Sequence, residues 1–433
     1  MLIVSVVIVS YRGQSLVTVV LLLGVLFSAP VARFTRTATR AITQSDYVVV
    51  AKSLGAPTKR ILWTELRPNI TRPMFAFFAL LSGAGVLAEG GLSFIGLGVP
   101  LENASWGRLI AGGRPELATA WWWAMCPAAV FFLTSLGLNV LADHFGGVQP
   151  LRKKRSERWS SQKGGHRSTS RVSADASINP CAAGYSVLQS FNSAAAPGPR
   201  TGTAPALLVR DLTVSVPTPN GTIELVSGAN LFVNPGEIVA IVGTSGAGKT
   251  SLVQAICGAT SGRYIHGLVL APSGVERVLT PARPGRDTAL VMQEPRRSLD
   301  AVTHVGWQIA EPARVHFGLS RRAARARAIE LLVAVGMDDP QHRFFSYPHQ
   351  LSGGQCQRIA IALALACDPS VLIADEPTGS LDPIARRQIL DLLDRLRSER
   401  NLAVLLVTHD RAIASDRADR VITMEHGLIT AVS

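Results

Sequence analysis

GTSGAGKT, residues 243–250, is the stretch that decides the fold. It matches G-x-x-x-x-G-K-[ST]. The apolar run EIVAIVG (237–243) leads into it and the helical stretch TSLVQAICGA (250–259) leaves it, which is the strand–loop–helix setting this pattern requires. Glycines in such a loop let backbone N–H groups turn inward around phosphate oxygens. Lys249 brings a cation to the β- and γ-phosphates, and the Thr250 hydroxyl can ligate Mg²⁺. The start of the following helix adds its dipole. The candidate nucleotide-binding residues are therefore Gly243, Thr244, Ser245, Gly246, Ala247, Gly248, Lys249, Thr250 and Ser251.

Working outward, the apolar run VLIADEP (371–377) ends in Asp375-Glu376. A carboxylate at the end of a buried parallel strand sits beside the phosphate loop in such sheets. Asp375 is the candidate to hold Mg²⁺, partly through water, and Glu376 the candidate general base for an attacking water. LSGGQ (351–355) precedes the helical run CQRIAIALALA, so Ser352, Gly353 and Gly354 offer a hydroxyl and backbone N–H groups at a second helix start. A third strand-like run, LAVLLVTHD (402–410), ends near His409, which could contact a γ-phosphate. Alternating short apolar runs and amphipathic helices from residue 206 onward predict one α/β domain.

The first half of the chain is different. Three runs, 15–33, 74–98 and 119–142, are long enough to cross a bilayer, which takes about 20 residues. The apolar start at 2–10 would cover about half a span, so the chain is expected to begin inside one. Trp121, Trp122 and Trp123 suit an interfacial anchor. The chain carries a net charge of +13, yet residues 206–433 hold 23 basic and 22 acidic side chains. The excess lies in segments flanking the apolar runs: Arg33, Arg36, Arg40, Lys52, Lys59, Arg60, Arg67 and Arg72, then LRKKRSER at 151–158. That placement fits a positive-inside membrane protein and argues against a nucleic-acid partner. It puts 34–73 and everything after 150 in the cytoplasm and 99–118 outside. Residues 151–205 read as a basic disordered linker. Five scattered cysteines form no CxxC pair and read as reduced thiols.

With the motifs assembled, residues 206–433 resemble an ABC transporter nucleotide-binding domain: phosphate loop, Gln293 in LVMQEP, signature Leu351–Gln355, Asp375-Glu376, Ser380-Leu381-Asp382 and His409, in that order. YPHQLSGGQ (347–355) is similar to the peptide and nickel importer ATPases. The resemblance implies an ATP hydrolase with ATP and Mg²⁺ as ligands and a head-to-tail dimer, homo- or heteromeric, in which Ser352 serves the partner's nucleotide. It implies that Gln293 joins Thr250 and Asp375 around the metal and lies where ATPase meets permease, and that Glu376, His409 and Gln293 act in catalysis. Residues 1–150 resemble the C-terminal part of the dipeptide/oligopeptide permease. DYVVVAKSLGAPTKRILWTELRPN (46–69) looks like the coupling motif E-A-A-x3-G-x9-I-x-L-P, fitted at Ala51, Gly55 and Pro68. AEGGLSFIGLG (88–98) and SWGRL (105–109) also fit.

The expected architecture is thus multidomain: all-α transmembrane helices (1–150), the linker (151–205), and an α/β P-loop NTPase domain of the ABC type (206–433). The expected protein is a multi-pass subunit of a bacterial inner-membrane importer with its ATPase in the cytoplasm. Its implied partners are a second ATPase domain, a partner permease, an extracytoplasmic solute-binding protein, and a peptide, nickel or other small solute. Two other readings are a membrane-tethered ATPase without its own transport path and an exporter half-transporter. The sequence also departs from the family. Val49 and Val50 replace Glu-Ala in the coupling motif, which predicts a weaker grip on the ATPase. Arg67 stands where Leu is expected. Val216 occupies the position of the adenine-stacking aromatic, which predicts reduced nucleotide affinity. Cys356 replaces the usual Arg or Met after the signature, and set against the family pattern the chain is expected to lack the front spans of the permease and the C-terminal extension.

Overall fold

A computed structural model of the chain describes residues 15–96, 104–146, 204–218, 221–260, 263–272 and 279–432. The apolar start at 2–10, the basic stretch 151–158, Cys181 and all but the last two residues of the expected linker lie outside these residues. The chain divides into two compact units, Met1–Ile42 with Leu66–Ser168, and Thr43–Glu65 with Thr169–Ser433.

The first unit is helical. Its described elements are α1 (Leu16–Thr43); after α2 (Asp46–Ser53), which belongs to the other unit, come α3 (Arg67–Phe94), α4 (Trp106–Gly112) and α5 (Trp122–Gly146). Three helical stretches, Val17–Thr43, Thr58–Phe94 and Trp122–His144, are long and apolar enough to cross a membrane. The first runs ten residues past its expected end at 33. Arg is a good helix former with a long stem, so Arg33, Arg36 and Arg40 extend the helix beyond the apolar stretch instead of ending it. The 37 residues from Thr58 to Phe94 correspond to about 55 Å of helix, more than the ~30 Å core of a bilayer requires.

Helices in lipid attract one another by close fit, because burial away from water gives them nothing. Here glycines provide that fit. A Cβ on Gly107 would lie 2.0 Å from the Gly90 carbonyl oxygen, and one on Gly113 would lie 2.7 Å from the Ala124 nitrogen. Phe131 fills the space over Gly90, and Phe34 stacks on Phe77 with centroids 4.1 Å apart. Ser105 caps α4 by accepting a bond from Arg108 N at 3.3 Å. Trp121–Trp123 are exposed at the start of α5.

The second unit holds two sheets. The first is antiparallel in the order β2–β1–β4–β5, from β1 (Leu207–Thr218), β2 (Gly221–Val233), β4 (Tyr264–Pro272) and β5 (Leu279–Pro281). The second has the order β10–β9–β3–β8–β7–β6: β3 (Ile238–Val242), β6 (Thr288–Val291), β7 (Val371–Asp375), β8 (Ala403–Thr408), β9 (Arg420–Glu425) and β10 (Leu428–Val432). Every pairing in it is parallel except the edge hairpin β9–β10. The strands expected at 237–243, 371–377 and 402–410 are β3, β7 and β8. All three are buried on both faces, as a parallel sheet covered by helices requires. Those helices include α6 (Lys249–Ile256), α7 (Val305–Phe317), α8 (Arg321–Ala334), α9 (Gly353–Ala364) and α10 (Pro383–Arg400).

α2 belongs to this same unit. Val50 and Leu54 join the cluster that contains Val239, Ile241, Val291 and Leu363, and Val49 packs partly against it.

Candidate active site

Register brings the chemistry to one sheet edge. Val242 pairs with Thr408, Asp375 with Val407, and Val291 with Ala374. The residues after β3, β6, β7 and β8 therefore emerge side by side, as ligand sites do in open parallel sheets. Gly246 and Gly248 have φ of +88° and +95°, a conformation that costs an L side chain about 1–2 kcal/mol. Gly248 is doubly constrained, since its Cβ would lie 2.4 Å from the Leu225 carbonyl oxygen. Lys249 is only 6% exposed and turns its Nζ onto the carbonyls of Gly243 (2.8 Å) and Thr244 (2.9 Å). Both bonds stay inside the loop, so the ammonium is stored where a phosphate can displace them.

Asp375 is 3% exposed. Burial is the main cause that pushes its carboxyl up to about 6; the neighbouring Glu376 adds to the rise, while a hydrogen bond with Thr250 and the charge of Lys249 oppose it. A carboxylate this costly to ionise, beside a hydroxyl and an ammonium, is a donor set suited to a cation–phosphate pair. Glu376 has φ +46°, unusual for a non-glycine residue. Its Oε2 accepts from Gln293 Nε2 at 2.8 Å, and its Oε1 lies 3.2 Å from His409 Nδ1. The three candidate catalytic residues thus form one chain of contacts, with His409 at its exposed end.

Ser352, Gly353 and Gly354 are elsewhere. Ser352 caps α9 through a reciprocal pair with Gln355, of 3.2 and 3.0 Å. The motif opens into a separate cavity of about 530 Å³, lined also by Arg358, Ser380 and Asp382. Asp382 caps α10, accepting from Ile384 N and Ala385 N at 3.1 and 2.9 Å. Val216 is half-buried and pairs with Ile223. Cys257, Cys356 and Cys367 are buried; desolvation pushes the thiols of Cys257 and Cys367 up to about 12.

Sequence reasoning named α2 but not the residues it meets. His316, on α7, donates from Nε2 to the Leu54 carbonyl at 2.7 Å. A Cβ on Gly285 would lie 2.4 Å from that same oxygen, and one on Gly55 would lie 2.7 Å from the Pro284 oxygen. Arg60 Nε stands 3.9 Å from Glu311 Oε1. Among these only the positive φ of the two glycines leaves a trace in sequence, as glycine itself. Val50 is 4% exposed. The pair Val49-Val50 thus does not leave the joint bare: Val50 is buried at the alanine position, and Val49, at the glutamate position, packs partly against the same core.

A glycine-rich loop after β3 and an acid pair at the end of β7, one strand apart in the same sheet, with a glutamate held between amide and imidazole, define an ATP-hydrolysing P-loop domain. Comparison with known families sharpens that class. Residues 226–379 match the family described as ABC transporter, and residues 1–152 match the family described as binding-protein-dependent transport system inner membrane component. A Brucella melitensis protein, provisionally named a peptide import ATP-binding protein, is 40% identical over 237 residues, covering 52% of this chain and 70% of its own. A namesake from Brucella abortus is 42% identical over 219 residues, covering 48% and 65%. A solved dimeric ATP-binding cassette with ADP and Pi is 26% identical, covers 52% of this chain and 97% of its own, and gives a TM-score of 0.45. The chain belongs to the ABC transporter family: an ATP hydrolase fused to a permease domain, membrane-associated, that works with a second cassette and with permease partners.

Proposed function

We propose that this chain is the energising subunit of a bacterial inner-membrane importer of peptides or related small solutes, with its spans multi-pass and its ATPase in the cytoplasm. The names of its relatives support a peptide cargo. The carrying observation is the seat of α2: a segment inside the permease match is anchored, in the same chain, on the face that leads through β6 to Gln293. The boundaries at 150 and 205 are part of the proposal, as are a homo- or heterodimeric partner cassette, a solute-binding protein, and the spans a partner permease supplies.

In the chemical step, the N–H groups of 244–250 surround the β- and γ-phosphates, and Lys249 exchanges its loop carbonyls for phosphate oxygens. Asp375, Thr250 and Gln293 would hold Mg²⁺, which neutralises charge gathering on the phosphates. Glu376 takes a proton from the attacking water, and His409 steadies the γ-phosphate. Gln293 reaches Glu376 through its Nε2, which leaves its amide oxygen as the atom that would ligate Mg²⁺. Ser352 and the glycines beside it complete the site of the opposing cassette. The test is uptake of a labelled peptide into vesicles holding this chain with its neighbours. Uptake that is unchanged by Lys249→Ala or Glu376→Gln refutes the proposal.

A further inference from the structure

Glu89 is the only acidic residue in the three apolar runs 15–33, 74–98 and 119–142, and Arg33, at the end of the first, is their only basic one. Glu89 lies in α3, inside the stretch Thr58–Phe94 that is long and apolar enough to cross a membrane. Leu80, Leu87 and Phe94 recur every seven residues and form an exposed stripe along α3. Glu89 follows Leu87 by two residues, about 200° round the helix, so it points away from that stripe. Its surroundings on that side are protein. Ser93, one turn on, is 1% exposed and donates from Oγ to Glu89 Oε1 at 2.6 Å. Gly85, one turn back, faces Phe27 of α1, and Gly90 faces Phe131 of α5. Glu89 is half-buried between these two contacts.

The Ser93 hydroxyl is the one side-chain partner of Glu89 among the described residues, and no cation stands within ion-pairing distance of it there. A carboxylate accepts about four hydrogen bonds, so most of its capacity is open. Arg33 does not supply the missing charge. Phe34 stacks on Phe77, which puts Arg33 beside a level of α3 about 18 Å of helix away from Glu89. An acid in a membrane helix, turned toward protein and without a base of its own, costs free energy until a cation or a proton reaches it, and such acids line the routes of ions and charged solutes. A primary ammonium is compact and brings three donors, which the open oxygen of Glu89 and the Ser93 hydroxyl can accept together. We infer that Glu89 is a recognition point for the primary ammonium of a solute passing the permease domain. The inference rests on the uptake reading, which supplies the route and the choice of a dipeptide as probe.

The test uses the full chain with its partner subunits in vesicles. Dicyclohexylcarbodiimide, an apolar reagent for carboxyl groups inside membranes, should mark Glu89, as read by mass spectrometry of the chain. Alanyl-alanine should slow that labelling about tenfold, and N-acetyl-alanyl-alanine, which lacks the ammonium, should leave it unchanged. In uptake, Glu89→Gln should raise the KM for alanyl-alanine about tenfold, Glu89→Asp should recover part of the loss, and ATP turnover at saturating dipeptide should stay within about twofold of wild type. Ser93→Ala, which keeps the acid, should still be labelled and still be protected by the dipeptide. No labelling of Glu89, labelling that the two probes slow equally or not at all, or a KM unchanged by Glu89→Gln overturns the inference. Vesicles that import the dipeptide but show no protection of Glu89 refute this site alone. Vesicles in which only the free dipeptide protects Glu89, yet nothing is imported, refute the uptake reading alone.

Discussion

Gly285→Ala should disconnect ATP turnover from transport. Gly285 has φ +83°, and a Cβ there would lie 2.4 Å from the carbonyl oxygen and 2.6 Å from the carbonyl carbon of Leu54. Both are backbone atoms, so residues 46–55 must retreat as a body by about 1 Å to regain ordinary contact. That stretches the 2.7 Å bond from His316 to Leu54 past hydrogen-bonding range, a loss of about 1 kcal/mol. Val50 and Leu54 each gain about 2 kcal/mol from burial, and a gap of that size forfeits a quarter to a half of their contact. The docked state is then weaker by about 2–3 kcal/mol, a factor of roughly 30–150. The control is Gly318→Ala. Its φ is +64°, so it carries a similar backbone cost of about 1–2 kcal/mol, but nothing lies within 4 Å of its Cβ. In vesicles containing the partner subunits, Gly285→Ala should hydrolyse ATP at near the wild-type rate and lose most uptake, while Gly318→Ala keeps both. Equal uptake per ATP in the two variants would show that the seat of α2 does not carry the coupling.

Asp375→Asn should abolish hydrolysis and yet stabilise the nucleotide-free ATPase. The folded carboxyl titrates at about 6 against 3.8 in the unfolded chain, so its relative stabilisation is complete below pH 4 and lost as pH rises through 6. Above that the ionised group costs about 3 kcal/mol, which Asn removes. Melting without Mg²⁺ at pH 7.5 should rise by several degrees, and a lower melting point contradicts the assignment of burial as the dominant cause. Glu376→Gln should retain ATP binding and slow phosphate release by about 10²–10⁴-fold, and phosphate release within tenfold of wild type removes Glu376 as the base. Alkylation at neutral pH should leave Cys257 and Cys367 untouched in the folded chain and mark both after unfolding, because burial holds their thiols at about 12; mass spectrometry of the labelled chain reads this directly.

Much of the nucleotide site was legible in sequence because each part is local. Gly246 and Gly248 announce left-handed turns, and an apolar run ending in Asp375-Glu376 announces a buried strand with acid at its tip. Ser352 and Gln355 spell a capping box. The strands then bring these pieces together by register, which the parallel pattern alone anticipates. The contacts of α2 were not legible, because nothing in the string of residues ties Leu54 to His316 across 262 positions. The apolar run at 15–33 falls on α1, but the continuation of the helix to Thr43 was not legible, for a related reason. Charge marks where a helix leaves the apolar layer, while the helix itself stops only where capping and turn residues stop it, at Thr43.

Val49 and Val50 show how a local departure is absorbed by tertiary context. Read alone, the loss of a glutamate predicts a weaker joint. In the fold, α2 joins through Val50 and Leu54 an apolar cluster that includes Val291 and Leu363, and Val49 adds a partly buried apolar contact that needs no polar partner. A hydrogen bond to Leu54 and the two backbone approaches at Gly55 and Gly285 fix the direction in which that apolar contact pulls. Burial supplies the strength of the seat and backbone geometry supplies its orientation. This division predicts that Val50→Ala weakens uptake by degrees, whereas Gly285→Ala interrupts it.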